Sequence, residues 1–420
     1  MDFVEIKKIG SLSADIVAPP SKAHTLRALF ISALAEGKST LRNALNAEDQ
    51  QIAAKALNDL GAKIVFNGKD YLVQGAEGQL SSPKEIIYTA NSGVTTRFLI
   101  PIAGIAKGNT IIDGSERMRE RPIKELLESA SKIGLKTESK EGKLPVKVIG
   151  KTLIGGKTEI DASESSQFLS ALLIAGPLTE NGMSVSVKGE MRSKPYVDIT
   201  LDCMADFGVK TDREGYESFF VKSGQSYKGR DYLIEGDYSS SSYLFAAAAI
   251  TGGIVKVRNL NKNSAQGDKE FIYFLEKMGC NVNFSGDSIV VEGNSLNAID
   301  VDMSSCPDVV PTLAVVAAFA EGKTRISNIS HLSAKESNRI ETTAENLRRC
   351  GIKAIPGKDF LEIIGGKPHG AVIEPYNDHR IAMAFSIMGL QTGEMRINNP
   401  NCVGKSFPDF FSVLKKFYGD

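Results

Sequence analysis

Two series of glycines run through the 420-residue chain with a single period. Gly37, Gly108, Gly182, Gly253, Gly322 and Gly393 lie 71, 74, 71, 69 and 71 residues apart. Gly61, Gly134, Gly208, Gly279, Gly351 and Gly419 lie 73, 74, 71, 72 and 68 apart. Each glycine of the first series follows an apolar helical stretch and precedes an alternating run such as Thr110-Ile-Ile-Asp or Val255-Lys-Val-Arg. Each glycine of the second series closes an amphipathic helix, as in Ile123-Lys-Glu-Leu-Leu-Glu-Ser-Ala-Ser-Lys-Ile, at a C-cap leading into a strand. Two independent markers with one period mean an internal repeat, here in six copies.

The first helices, at 28–35, 98–106, 168–175, 243–250, 313–320 and 381–388, are apolar nearly all round. Helices of that kind are buried, so they belong inside, with the sheets outside them. No strand follows Gly419, whereas 3–9 reads as a strand ahead of the first repeat. Adding it to the last unit completes the set. The chain then crosses twice between two three-unit domains, near Pro19-Pro20 and near Gly236-Asp237. One domain is 20–236 and the other is 1–19 plus 237–420. A double crossing beside polar clusters suits a hinge.

Composition narrows the function. Fifty basic residues balance 50 acidic ones, so bulk attraction to nucleic acid or to an anionic membrane is not expected, and anion binding must be local. Five scattered cysteines with no C-x-x-C pair argue against a disulfide frame and a zinc site. The opening, Met1-Asp-Phe-Val-Glu-Ile-Lys-Lys-Ile-Gly, is too polar for a signal peptide, and no stretch reaches transmembrane length. A cytoplasmic enzyme is expected. Nothing matches a P-loop or a dinucleotide fingerprint, and His24, His331 and His369 lack ligand spacing.

The chemistry sits where each first helix opens. These openings are Ser21-Lys22-Ala-His-Thr-Leu-Arg27, Asn91-Ser-Gly93-Val-Thr-Thr-Arg97, Ser165-Ser166-Gln167, Asp237-Tyr-Ser-Ser-Ser-Ser, Cys306-Pro-Asp308 and Asn377-Asp378-His379-Arg380. Capping explains the Asp237 serine run. It does not explain Lys22, Arg27, Arg97 and Arg380, cations placed in first turns against the helix dipole. An anion lying between them and the free backbone N–H groups would. Further basic segments recur after the strands: Arg117-Met-Arg119-Glu-Arg121, Arg192-Ser193-Lys194, Lys335-Glu336-Ser-Asn-Arg339 and Lys405-Ser406. Asp308 and Glu336 lie among these cations. They are either general acid and base or structural ion pairs, and the sequence leaves both open.

In order along the chain, Pro20-Ser-Lys22…Arg27, Asn91-Ser-Gly93…Arg97, Arg121-Pro, Ser165-Ser-Gln-Phe-Leu, Ser193-Lys-Pro-Tyr, Pro307-Asp308, Lys335-Glu336…Arg339, Tyr376-Asn-Asp-His-Arg380 and Lys405…Phe407-Pro-Asp resemble the motifs of the enolpyruvyl transferases. Within that family they are closest to the branch acting on shikimate 3-phosphate. The resemblance implies an inside-out α/β barrel of two domains, each with three repeats around buried helices, and ligands between them. It implies phosphoenolpyruvate and shikimate 3-phosphate as substrates, no cofactor, no metal, and a monomer. It places shikimate 3-phosphate on Lys22, Arg27, Ser165, Ser166, Gln167, Ser193, Asp308 and Lys335. It places phosphoenolpyruvate on Lys22, Gly93, Arg121, Gln167, Arg339, Arg380 and Lys405. Asp308 would take the hydroxyl proton, and Glu336, assisted by Lys22, would move a proton at the methylene carbon.

The sequence departs from the usual pattern at Ala23, Val94, Phe98, His331 and Asn338, which bears on affinity and on glyphosate sensitivity. The rival branch transfers to UDP-N-acetylglucosamine and usually carries a reactive cysteine in the loop that here reads Gly114-Ser-Glu-Arg-Met-Arg-Glu-Arg121. A non-catalytic anion-binding protein of the same fold is the other alternative.

Overall fold

The computed structural model describes residues 2–418. The expected closing glycine at 419 lies outside the described residues. The chain divides into two compact units, Met1–Pro19 with Glu235–Asp420, and Pro20–Ile234. Both are α/β.

Each repeat builds a sheet of one design. In the second, Ile87–Tyr88 runs parallel to Asn109–Asp113, which pairs antiparallel with Val146–Ile149, followed by Lys136–Ser139. Between the two parallel strands runs the buried helix Gly93–Ile105, a crossover that parallel pairing requires. Among the described residues, five sheets have four strands in this order and a sixth has three, and these open sheets do not close into a hydrogen-bonded barrel.

The edge strands of the first and fourth repeats are exchanged. Ser13–Val17 precedes the helix Lys22–Leu34 yet pairs with Ile254–Arg258. Asp231–Leu233 precedes the helix Tyr238–Thr251 yet pairs with Lys38–Arg42. The orphan N-terminal strand behaves as the repeat requires. Phe3–Ile6 pairs antiparallel with Met395–Asn398, filling the place that Val146–Ile149 holds in the second repeat.

The first helices form the cores. Every residue of Tyr238–Thr251 except the last is buried, and this helix packs on Val310–Ala317 and His379–Thr392. In the other unit Gly93–Ile105 packs on Gln167–Ala175, and Lys22–Leu34 on Pro195–Asp206. With no polar face, burial is their only stable outcome. The second-series glycines at 61, 134, 208, 279 and 351 all have positive φ, from 81° to 113°, the left-handed stop expected of a helix C-cap.

A third glycine series ties four of the six helix ends to their sheets. The N–H groups of Gly75, Gly150, Gly293 and Gly365 donate to the carbonyls of Gly37, Gly108, Gly253 and Gly322 at 3.0, 2.9, 2.9 and 3.0 Å. A Cβ at these four positions would fall 2.0, 2.1, 2.1 and 1.8 Å from the carbonyl oxygens of Ala35, Ala106, Ala248 and Ala320. These contacts are with backbone, so no side-chain movement relieves them. Gly365→Ala should therefore lower the urea midpoint by an amount equivalent to about 3 kcal/mol or more. Its neighbour Gly366→Ala, whose Cβ would meet nothing closer than 3.6 Å, should change it little.

Candidate active site

In the 20–234 unit, Lys22 is the first residue of its helix, behind the N-cap Ser21. Its Nζ lies 2.7 Å from Asp49 Oδ2. Asp49 is buried at the acidic start of the next helix, Glu48–Asp59, and carries no local pattern that singles it out from ordinary first-turn acids. Arg27 and Arg97 sit a turn deeper than expected, as the sixth and fifth residues of their helices. Both are buried and bonded within the protein. Arg27 donates to Thr200 Oγ1 at 2.7 Å, the Tyr196 carbonyl at 2.9 Å and the Ala23 carbonyl at 3.1 Å. Burial brings its pKa down to about 10. Arg97 donates to Gln167 Oε1 at 2.6 Å, Ser165 Oγ at 3.4 Å and the Pro122 carbonyl at 3.0 Å. Lys22 and Arg380 thus stand in first turns, whereas Arg27 and Arg97 do not.

Gly93 opens its helix against Arg121. A Cβ there would lie 2.5 Å from Arg121 Nη2, so the missing side chain admits the guanidinium, which donates to the Asn91 carbonyl at 3.1 Å and Asn91 Oδ1 at 3.3 Å. The Arg117 segment, expected as a loop, forms the short helix Glu116–Glu120 capped by Ser115, and Arg121 ends it. Ser166 and Gln167 stand at the N-terminus of Gln167–Ala175. Ser193, with φ of 57°, sits in the left-handed region just ahead of Pro195–Asp206. That conformation is uncommon for a residue with a side chain and marks a constrained turn.

The 235–420 unit brings the two candidate acids together on one guanidinium. Arg339, 1% exposed, donates from Nη1 to Asp308 Oδ1 at 2.9 Å, from Nη2 to Glu336 Oε2 at 2.9 Å and from Nε to Asp378 Oδ2 at 2.8 Å. Arg380 donates to the other oxygen of Asp308 at 2.9 Å and to the Tyr243 hydroxyl at 3.3 Å. Burial pushes the Asp308 carboxyl up, but Arg380, Arg339 and Lys335 outweigh it and hold the group well below the usual carboxylate range. Burial lowers Arg339, and its three carboxylates more than restore it. Asp378 is the N-cap of His379–Thr392 and accepts from the Arg380 N–H at 3.0 Å. Lys335 follows the 3-10 turn Ser330–Ala334, and Lys405, buried, ends Pro400–Lys405.

Asp237 caps its helix as expected, accepting from the Ser240 N–H at 2.6 Å. The serine run does more than cap: Ser239 donates to Asp268 Oδ2. Asp268 was not anticipated; it is buried, and its other oxygen has no hydrogen-bond partner. Of the four histidines, His24, His331 and His379 are buried and His369 is exposed. All five cysteines are buried, and none is in a disulfide among the described residues. No helix among the described residues is long and apolar enough to cross a membrane.

Residues 6–414 match the family described as EPSP synthase (3-phosphoshikimate 1-carboxyvinyltransferase). The chain belongs to the EPSP synthase family. It is 41% identical to the 3-phosphoshikimate 1-carboxyvinyltransferase of Methanoculleus marisnigri over all of this chain and 99% of that one. It is 40% identical to that of Colwellia psychrerythraea over 99% of each. Among solved structures, the EPSP synthase of Acinetobacter baumannii superposes with a TM-score of 0.82 at 26% identity, covering 99% of this chain and 98% of that one. The family match is carried by the whole chain, not by one motif.

Asp268 supplies a pH signature. Burial, with Asp308 nearby, raises its carboxyl to about 7. A carboxyl raised on folding binds its proton more tightly folded than unfolded, so it disfavours the fold progressively as pH rises from the usual carboxylate range to about 7. The Tm of Asp268→Asn minus that of the parent should therefore increase between pH 5 and pH 8. A difference independent of pH would mean that Asp268 is already ionised in the folded protein at pH 5.

Proposed function

We propose that the protein transfers the enolpyruvyl group of phosphoenolpyruvate to the 5-hydroxyl of shikimate 3-phosphate, giving 5-enolpyruvylshikimate 3-phosphate and phosphate. The observation that carries the reading is the cluster in which Asp308 and Glu336 share the guanidinium of Arg339 beside Arg380, in a chain matched to this family from residue 6 to 414. The reaction needs one group to take a hydroxyl proton, one to move a proton at the methylene carbon, and cations to hold two anions while charge develops. Asp308, Glu336 and the arginines beside them are groups of these kinds.

The acceptor's phosphate is assigned to Ser165, Ser166 and Ser193, at and ahead of two helix N-termini. Lys22 and Arg27 serve its anionic groups, and Gln167, Asp308 and Lys335 its ring hydroxyls. The donor is assigned to Lys22, the Gly93 backbone, Arg121, Gln167, Arg339, Arg380 and Lys405. The bonds described for Arg27, Arg97 and Arg121 run to hydroxyl, carbonyl and amide oxygens. These arginines bring positive charge to this unit, which supports placing anionic substrates against it. Asp308 is assigned the hydroxyl proton, and Glu336 with Lys22 the methylene proton. Positioning and electrostatic stabilisation of two anions then account for most of the rate. The reading takes each unit as a three-repeat domain of an inside-out α/β barrel in a cytoplasmic monomer that binds small molecules and not nucleic acid.

The acceptor assignment rests further on the 114–121 segment. It contains no cysteine, and all five cysteines of the chain are buried elsewhere. The purified protein should release phosphate from phosphoenolpyruvate with shikimate 3-phosphate, without added metal or nucleotide, and should not do so with UDP-N-acetylglucosamine. Turnover with the UDP-sugar instead would overturn the assignment.

A further inference from the structure

Arg339 bonds to three carboxylates in the proposed donor site, and these are not equivalent. Asp378 is wholly buried, accepts from the Ser337 hydroxyl at 3.0 Å as well as from Arg339, and caps a core helix. It is a fixed floor. Asp308 and Glu336 are on the accessible side, with side chains 22% and 9% exposed against 1% for Arg339. Glu336 comes from the short segment between Ser330–Ala334 and Arg339–Arg349. Asp308 comes from the 3-10 turn Pro307–Val309. With Nε on Asp378, Nη1 on Asp308 and Nη2 on Glu336, every nitrogen of Arg339 already has a carboxylate. The Nη2 of Arg380 is on the second oxygen of Asp308.

An anion approaching these two guanidinium groups meets carboxylates already bonded to them. Three carboxylates surround them, and a further dianion added without rearrangement would meet like charge at contact distance, at a cost of several kcal/mol at an effective dielectric constant of about 20. We propose that the donor takes Arg339 and Arg380 by displacing Asp308 and Glu336 from them, so that donor binding itself releases the two carboxylates toward the reacting atoms. The proposal rests on the functional reading above. Before the donor arrives, Asp308 is a poor proton acceptor, because Arg380, Arg339 and Lys335 hold it ionised. Once the donor's own charge occupies the arginines, that hold weakens and Asp308 becomes a stronger base when a hydroxyl is there to be deprotonated. Asp378 stays in place and keeps Arg339 oriented. Asp268 and Tyr243 also interact with this cluster, and neither bonds to Arg339 through the contacts described.

Inorganic sulfate is the probe, since its charge does not change near neutral pH and its inhibition constant is an equilibrium quantity whatever the rate of the chemical step. Measured against phosphoenolpyruvate at saturating shikimate 3-phosphate, that constant should be roughly 3- to 30-fold smaller in Asp308→Asn and in Glu336→Gln than in the parent, although both variants turn over slowly. Loss of a competing carboxylate then appears as tighter anion binding together with lower kcat. A crystal structure of the parent protein with sulfate at the donor site should show Asp308 and Glu336 more than about 4 Å from Arg339, beyond ion-pair distance, with the Asp378 pair intact. Unchanged or weaker sulfate inhibition in the variants would overturn the proposal, as would a sulfate-bound structure with both carboxylates still on Arg339. Either result leaves the functional reading standing if the parent releases phosphate with shikimate 3-phosphate. Absence of that release would sink the reading itself.

Discussion

The guanidinium of Arg339 is buried to 1% exposure and is met by three carboxylates. Removing two or more ions from water costs several kcal/mol each, and their mutual attraction offsets this only in good geometry. That requirement determines much of the second half of the 235–420 unit. Asp378 must be the N-cap of His379–Thr392, Asp308 must lie in the 3-10 turn ahead of Val310–Ala317, and Glu336 must lie three residues before Arg339. Two repeats therefore converge on one cation. If one partner were lost, the others would remain buried with unbalanced charge.

The repeat makes such convergence possible. Six apolar helices with no polar face pack inward, and each begins with a polar cluster whose backbone N–H groups have no intrahelical acceptors. The units use those helix starts differently. In 20–234, Arg27 and Arg97 bond to hydroxyl, carbonyl and amide oxygens and stack near rings, Arg27 over Phe98 at 5.6 Å and Arg97 over Phe168 at 5.0 Å. In 235–420, carboxylates meet Arg339 and Arg380.

Much of the fold was legible because glycine and apolar patterning are local signals. The C-cap glycines at 61, 134, 208, 279 and 351 read correctly because positive φ favours that residue type. The orphan strand at the N-terminus followed from counting. The exchange of Ser13–Val17 and Asp231–Leu233 between sheets was not legible, since nothing in a strand's own residues names its partner. Nor was the third glycine series, whose requirement is a close approach to a carbonyl across the fold. At the site, residue types were readable and pairings were not. Asp308 and Glu336 stood out among cations, but the sequence could not show that both rest on Arg339. Asp49 and Asp268 carried no local mark, because a first-turn acid and a loop acid are everywhere. Arg27 and Arg97 were placed one turn too early, because their helices extend beyond the apolar core that revealed them, starting at Lys22 and Gly93.

The central claim is that the fork of Arg339, and not merely its charge, organises the acids and the donor site. Arg339→Lys tests it most directly, since lysine keeps the charge but offers a single nitrogen that cannot hold three carboxylates in one plane. The account predicts that kcat/KM for phosphoenolpyruvate falls by about 100-fold or more, equivalent to roughly 3 kcal/mol of lost transition-state stabilisation, and that the variant melts at a lower temperature. A lysine variant with the parent's melting temperature and kcat/KM would contradict it.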